Sequence, residues 1–234
     1  MDQTEEHFSA EAWRDCFTRM EAVLRRPLSP EQQAELQQFS ALLLQANRRF
    51  NLMGPSAEKD LLTRHLLDAV PLLPFFTPEA RVADLGSGGG VPGLVLAILC
   101  HPPQTIHLIE SIQKKARFLE QVVEQLRLGD RVRVFALRAE RLGTAEKNTY
   151  DLVISRAVGT LAYGAELAWG LLRPGGAYLA LKGHNHPLEV AEWQRSPLYR
   201  LYHPPQIHPT LEERGGVIVR LHKSGARSHA LPGR

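Results

Sequence analysis

The stretch Arg81-Val-Ala-Asp84-Leu-Gly86-Ser-Gly88-Gly-Gly90-Val-Pro92-Gly93 constrains the fold more than any other part of the chain. A short apolar run enters it, glycines crowd its middle, and an apolar segment, Val91 to Cys100, leaves it with a proline near the first turn. Glycines let the backbone turn sharply and let a ligand approach with no Cβ in the way. Strand, glycine loop and helix in succession open an α/β sheet whose ligands bind at the carboxyl ends of the strands. The glycines can be read in two registers. Gly88-x-Gly90-x-x-Gly93 satisfies the dinucleotide fingerprint but starts three residues beyond Leu85, where the strand ends; counted from Gly86, the third glycine would fall on Val91 and is missing. The other register is Asp84-x-Gly86-x-Gly88-x-Gly90, with a carboxylate ahead of the turn.

Around this loop the pattern divides the chain at about residue 80. Before it the periodicity is helical. One helix is predicted around Ser9 to Arg26, and a second starts at Ser29-Pro30-Glu31-Gln32, a capping-box signature with proline at the first helical position. Leu36, Phe39, Leu43, Ala46 and Phe50 give that second helix one buried face. A third is predicted from Ala57 to Val70, ending at Pro71. From Arg81 onward strands and helices alternate. The predicted strands are Arg81–Leu85, Thr105–Glu110, Arg131–Leu137, Tyr150–Ser155 and Ala177–Lys182; the predicted helices are Val91–Cys100, Ile112–Leu128 and Thr160–Leu172. Leu198–His203 and Gly216–His222 are predicted to form an antiparallel pair at one sheet edge. The expected architecture is a helical cap, residues 1–80, on an α/β core, residues 81–234, with a mostly parallel sheet covered on both faces.

The second register of the glycines resembles the first motif of the Rossmann-like methyltransferases, which bind S-adenosylmethionine. That molecule has a cationic methionine end and a ribose diol, and both suit carboxylates. Glu110 ends the second predicted strand, where an acidic side chain can accept both ribose hydroxyls, although NAD asks for the same contact. Arg138-Ala139-Glu140 follows the third strand, where methyltransferases hold the adenine through a backbone amide and an acidic side chain.

Bulk properties narrow the setting. Of the 234 residues, 1–80 carry eight Lys/Arg against twelve Asp/Glu and 81–234 carry twenty against thirteen, so the two parts have net charges of −4 and +7. A basic second part favours polyanionic partners such as nucleic acid. Cys16 and Cys100 stand far apart with no C-x-x-C spacing, which argues against a disulfide framework or a zinc site; no metal is expected. The acidic start, Met1-Asp-Gln-Thr-Glu-Glu6, fits neither a signal nor a transit peptide, and the longest apolar run is about half a bilayer span. A cytoplasmic protein with no membrane partner is expected.

Further stretches are shared with one family: Asn51-Leu52, Arg64-His65-Leu-Leu-Asp68, the loop from Asp84 to Gly93, Lys114-Lys115-Ala-Arg-Phe-Leu119, Ala139-Glu140, Ser155-Arg156-Ala157, Leu172-Arg-Pro-Gly-Gly176 and Leu181-Lys182-Gly183. From about Phe39 to Lys223 the chain is similar to the glucose-inhibited division protein B family, the ribosomal RNA small-subunit methyltransferases G. The resemblance implies a Rossmann-like fold with a seven-stranded sheet. It implies S-adenosylmethionine as cofactor, and methylation at N7 of guanine 527 in 16S ribosomal RNA or the small-subunit particle, by a monomer. It carries cofactor contacts over to Gly86, Val91, Ala139, Glu140 and Arg156, with Asp84, Gly88 and Glu110 in support. Two departures stand out: Met53-Gly54-Pro55 follows Asn51-Leu52, where the family usually continues with Thr, and the tail after Lys223 is short.

Chemistry separates the rival acceptors. Pyrimidine C5 methylation needs a cysteine nucleophile, but Cys100 falls at the far end of the predicted helix from the glycine loop and Cys16 lies in the cap. Methylases of exocyclic amines place an Asn/Asp-Pro-Pro-aromatic motif after the fourth strand, where this chain has Ser155-Arg156-Ala157-Val158. Ribose 2′-oxygen methylases use a Lys-Asp-Lys-Glu set; Lys182 is suitably placed, but Arg156 stands where the aspartate belongs. An NAD-dependent dehydrogenase would need a hydride-transfer acid or base, and no Tyr-x-x-x-Lys pair occurs. A non-catalytic RNA-binding module would have no use for Asp84 and Glu110. Guanine N7 carries a lone pair that is free at neutral pH, so no obligatory catalytic base is expected. Arg64, Lys114, Lys115 and Lys182 are the candidate RNA contacts; His65 reads either as RNA or pocket lining or, in preference, as a packed histidine beside Arg64 and Asp68, which stand one α-helical turn apart.

Overall fold

A computed structural model describes residues 8–54, 58–100, 104–211 and 216–224. The acidic start, Pro55, the predicted origin of the third helix at Ala57 and the tail beyond Ser224 lie outside the described residues.

Helix α1 (Ala10–Leu24) is capped by Ser9, whose hydroxyl accepts the amide of Ala12, and it buries Trp13, Cys16, Phe17 and Met20. Helix α2 (Pro30–Phe50) has the predicted capping box: Ser29 Oγ accepts from Gln32 N and Gln32 Oε1 accepts from Ser29 N. Leu36, Phe39 and Leu43 are buried as the periodicity predicts, but Phe50 is 42% exposed. The helix ends there, and Asn51 turns the chain through φ 49°. Buried Asn47 instead organises the exit, accepting from Met53 N and donating to Glu58.

The third helical segment differs from the expected uniform helix. It runs as a π turn (Leu61–Leu66), a short α3 (Leu67–Ala69) and a 3-10 stretch (Val70–Phe75) that continues through Pro71 and Pro74. Pro71 falls in the first turn of the 3-10 stretch, where its missing N–H costs little, so it does not end the segment.

The core then alternates β1 (Arg81–Leu85), α4 (Gly93–Leu99), β2 (Thr105–Ile109), α5 (Gln113–Gln125), β3 (Val132–Phe135), β4 (Tyr150–Arg156), α6 (Leu161–Leu171), β5 (Leu172–Lys182), α7 (His186–Trp193), β6 (Gln206–Pro209) and β7 (Val217–His222). The seven strands lie in the order β3-β2-β1-β4-β5-β7-β6. β1 to β5 pair in parallel, and β7 runs antiparallel to both β5 and β6. The strand order reverses between β1 and β4, which puts the ligand crevice of such a sheet at their carboxyl ends.

Alternation along the strands fills two cores. Val82, Leu108, Ile154 and Leu179 pack with buried residues of α1, α2, α4 and α5 in one continuous cluster. Ala83, Val153, Tyr178 and Ala180 pack on the opposite face with α6 and with Trp193 of α7. The N-terminal helices therefore share their core with the sheet.

Of the two expected tail strands, Gly216–His222 forms as β7, while the first lies one segment later than expected. Leu198–His203 is no strand: Ser196 and Pro197 start a 3-10 turn (Pro197–Leu201), with Ser196 Oγ accepting from Leu198 N. Tyr202 then buries its ring and donates its hydroxyl to Ala165 O. The partner of β7 is β6, which begins only after Pro204-Pro205. Helix α7, with Pro187 in its first turn, was not foreseen.

Candidate active site

A cleft of about 540 Å³ opens where the strand order reverses. Its floor is the glycine loop after β1. Gly86 N and Ser87 N both donate to Ile109 O, at 2.9 and 3.2 Å, which ties the turn to the end of β2. Gly86 has φ 64°, and a Cβ there would lie 2.6 Å from Val158 Cγ2, so no other residue fits both the turn and the loop after β4. At Gly93 a Cβ would meet Leu108 at 2.4 Å and Asp84 Oδ2 at 2.5 Å, so helix α4 can start this close to the sheet only with glycine.

Asp84 does not line the cleft. It lies beneath the loop, 1% exposed, with Oδ2 accepting from Gly93 N at 3.1 Å; Oδ1 has no hydrogen-bond partner among the described residues. Burial pushes its carboxyl up to about 7, against the pull of the Gly93 amide, Ser87 and the Arg156 charge. Asp84 thus braces the loop from below.

Glu110, just past β2, does line the cleft. Its Oε2 accepts from Gly88 N at 2.9 Å and its Oε1 from Ile112 N at 2.7 Å. The carboxylate is therefore held by two backbone amides at the mouth of the loop.

Across the cleft stands the end of β4. Arg156 is followed by Ala157 at φ 59° and Gly159 at φ 57°, so a non-glycine residue occupies the left-handed region at the rim of the site. The Arg156 guanidinium donates through Nη1 to His65 Nδ1, a contact between residues 91 positions apart. His65 is consequently a cleft residue as well as a packed one; its contact with Arg156 is not legible in the sequence. The π turn changes which residues of the segment share a side, and an α-helical spacing count could not anticipate that. Burial pushes the His65 imidazole down to about 4, with the charges of Arg156 and Arg64 acting the same way and Asp60 opposing.

Of the remaining predicted residues, Gly86, Gly88, Val91, Arg64, Lys115 and Lys182 line this one cleft. Lys182 is also a strut: its side chain is 7% exposed, and Nζ pairs with Glu189 Oε2 at 2.7 Å and donates to Gly159 O at 2.9 Å. Lys114 is exposed and outside the cleft lining. Ala139 and Glu140 form a 3-10 turn and are not among the lining residues; Glu140 Oε1 accepts from the Tyr163 hydroxyl at 3.4 Å. Both cysteines are buried, and burial raises each thiol to about 12, so neither is a ready nucleophile. Among the described residues no cluster of three metal-ligating side chains occurs, and no helix is long and apolar enough to cross a membrane.

The donor set fits S-adenosylmethionine. The glycine loop offers backbone with no side chain above it, Glu110 offers a carboxylate to a diol or a cation, and the volume is in the range that takes a ligand of this size. The fold and this site define an S-adenosylmethionine-dependent methyltransferase of the Rossmann-like class. Solved structures share the fold: an S-adenosylmethionine-dependent methyltransferase from Aquifex aeolicus (TM-score 0.57, 14% identity, covering 79% of this chain and 98% of that one), and a tRNA (m1A58) methyltransferase from the same organism (TM-score 0.55, 13% identity, covering 79% and 75%). The chain belongs to the GidB family, rRNA small subunit methyltransferase G, whose model matches residues 32–214. Among its relatives is a "Ribosomal RNA small subunit methyltransferase G" from Xanthomonas axonopodis pv. citri, 41% identical over 80% of this chain and 86% of that protein. Another, of the same name, from Azoarcus sp. is 38% identical over 85% and 91%.

Proposed function

We propose that the chain methylates N7 of guanine 527 in 16S ribosomal RNA, acting as a monomer on the RNA or on the small-subunit particle. The relatives' shared name supports the substrate class. The observation that carries the reading is one cleft lined both by the glycine loop with Glu110 and by four cationic side chains, Arg64, Lys115, Arg156 and Lys182. The first set suits a sulfonium donor and the second a polyanionic acceptor.

S-adenosylmethionine, when bound, supplies a methyl group on a positively charged sulfur. Glu110 accepts the ribose hydroxyls, the Ala139 amide and the Glu140 carboxylate meet the adenine, and Val91 closes the loop side. Arg156 holds the methionine carboxylate. Arg64, Lys114, Lys115 and Lys182 meet phosphates, which position the acceptor without reading its sequence. The attacking lone pair of N7 lies in the plane of the base, so the residues need only orient the base and exclude water.

The cleft carboxylates Glu110 and Glu189 are already engaged, the first by two backbone amides and the second by Lys182. A guanidinium can only donate, so His65 Nδ1 accepts from Arg156 and the neutral ring carries its proton on Nε2. A ribose 2′-oxygen acceptor would draw on Lys182, which is already paired with Glu189. The test is single-turnover methylation of 16S RNA carrying 7-deazaguanine at the target. No transfer is expected, and the rate on natural RNA should be flat across neutral and mildly alkaline pH; transfer to the 7-deaza substrate at a normal rate would show that N7 is the wrong atom.

A further inference from the structure

Among the N-terminal residues that line the cleft, His65 makes a hydrogen bond to the end of β4. The π turn that carries His65 is anchored by Leu61, Leu62 and Leu66, all buried, so the backbone at His65 is fixed relative to the core. From there Nδ1 accepts from Arg156 Nη1 at the carboxyl end of β4, immediately before the left-handed Ala157. Arg156 shares the cleft with the glycine loop and so stands near the place of a cationic sulfonium. Like charges repel, and more strongly at lower effective dielectric, so where the guanidinium lies decides whether it helps or hinders.

We propose that His65 is a positioning residue for methyl transfer: by accepting a hydrogen bond from Arg156 it holds the guanidinium against the cap, turned toward the carboxylate end of the cofactor. This rests on the cofactor site assigned above. A neutral imidazole is the right acceptor for the task. A carboxylate in its place would cancel the charge that the methionine carboxylate needs, and a protonated imidazole would repel the guanidinium. Burial and the flanking Arg64 and Arg156 charges keep the ring neutral through the physiological range, so the contact does not switch with pH there.

The experiment is calorimetric titration of S-adenosylhomocysteine into the full chain and its variants, with a melting curve for each. Arg156→Ala and His65→Ala should each weaken binding on the order of tenfold, the scale of a hydrogen bond to a charged group. His65→Asn places an amide oxygen close to the position of Nδ1 and should stay within about threefold of the parent, as rescue by the remaining acceptor requires. In the Arg156→Ala background His65→Ala should cost nothing further. If His65→Ala does not fold, His65→Gln, whose amide reaches the Nε2 position instead, replaces it. The proposal is overturned if His65→Asn is as weak as His65→Ala, if the His65→Ala loss persists without Arg156, or if Arg156→Ala binds normally. Failure of the parent chain to bind would remove the cofactor site itself, an outcome distinct from all three.

Discussion

Glu110 Oε2 accepts the Gly88 amide at 2.9 Å, joining the end of β2 to the middle of the glycine loop across 22 residues of sequence. One carboxylate thereby shapes the loop and faces the cleft. Glu110→Ala should both weaken S-adenosylhomocysteine binding and lower stability, each by about 1–3 kcal/mol, because the Gly88 and Ile112 amides lose their acceptor. Calorimetry and urea denaturation measure the two losses; a loss of affinity with unchanged stability would show that the amides find another partner.

Asp84 makes stability depend on pH in an unusual direction. Its folded carboxyl sits near 7, above the ordinary 3.8, because burial penalises the charge. The folded state therefore holds a proton that the unfolded state has lost. The contribution is fully present below pH 3.8 and is lost as pH rises toward 7. Asp84→Asn keeps an acceptor for Gly93 N, and in urea titrations across that window its stability should fall less with rising pH than that of the parent. Parallel curves would contradict this.

On the far face of the sheet, Gly164 of α6 packs on Tyr178, whose hydroxyl shares a 2.6 Å hydrogen bond with Ser155. A Cβ at Gly164 would lie 2.0 Å from the Tyr178 oxygen. Gly164→Ala should destabilise by about 1–3 kcal/mol, the range for overpacking a closed core, and disturb Ser155 just before Arg156. A melting curve unchanged from the parent would show that α6 can shift without cost.

The part of the site that was legible in the sequence is the part made by contiguous residues. The glycine register announced β1, its turn and α4, because positive φ and close approach leave no other residue type at Gly86 and Gly93. Glu110 followed from its place after an apolar strand. The pairing of His65 with Arg156 was hidden, since the two lie 91 residues apart and the π turn breaks the spacing on which a helix reading depends. Lys182 could be placed at a strand end, but its pairing with Glu189 depends on α7, whose eight residues have a proline in the first turn and carry little periodic signal. The first tail strand was displaced because the 3-10 turn started by Ser196 and Pro197 competes locally with extended structure.

Lys114 and Lys115 are neighbours with different surroundings: Lys115 lines the cleft and Lys114 is exposed on α5. Replacing both with alanine should reduce the slope of log affinity for 16S RNA against log salt by about 1 to 2, according to how many phosphates they neutralise. Filter binding at several salt concentrations measures it. An unchanged slope would place both lysines outside the RNA contact.

The account turns on one product. Small subunits that lack the modification, incubated with the purified chain and S-adenosylmethionine, can be digested and their 16S RNA mapped by mass spectrometry. The account predicts a single new methyl group, on N7 of guanine 527, absent when the protein is omitted. A methyl group on a ribose, an exocyclic amine or another nucleotide would contradict it.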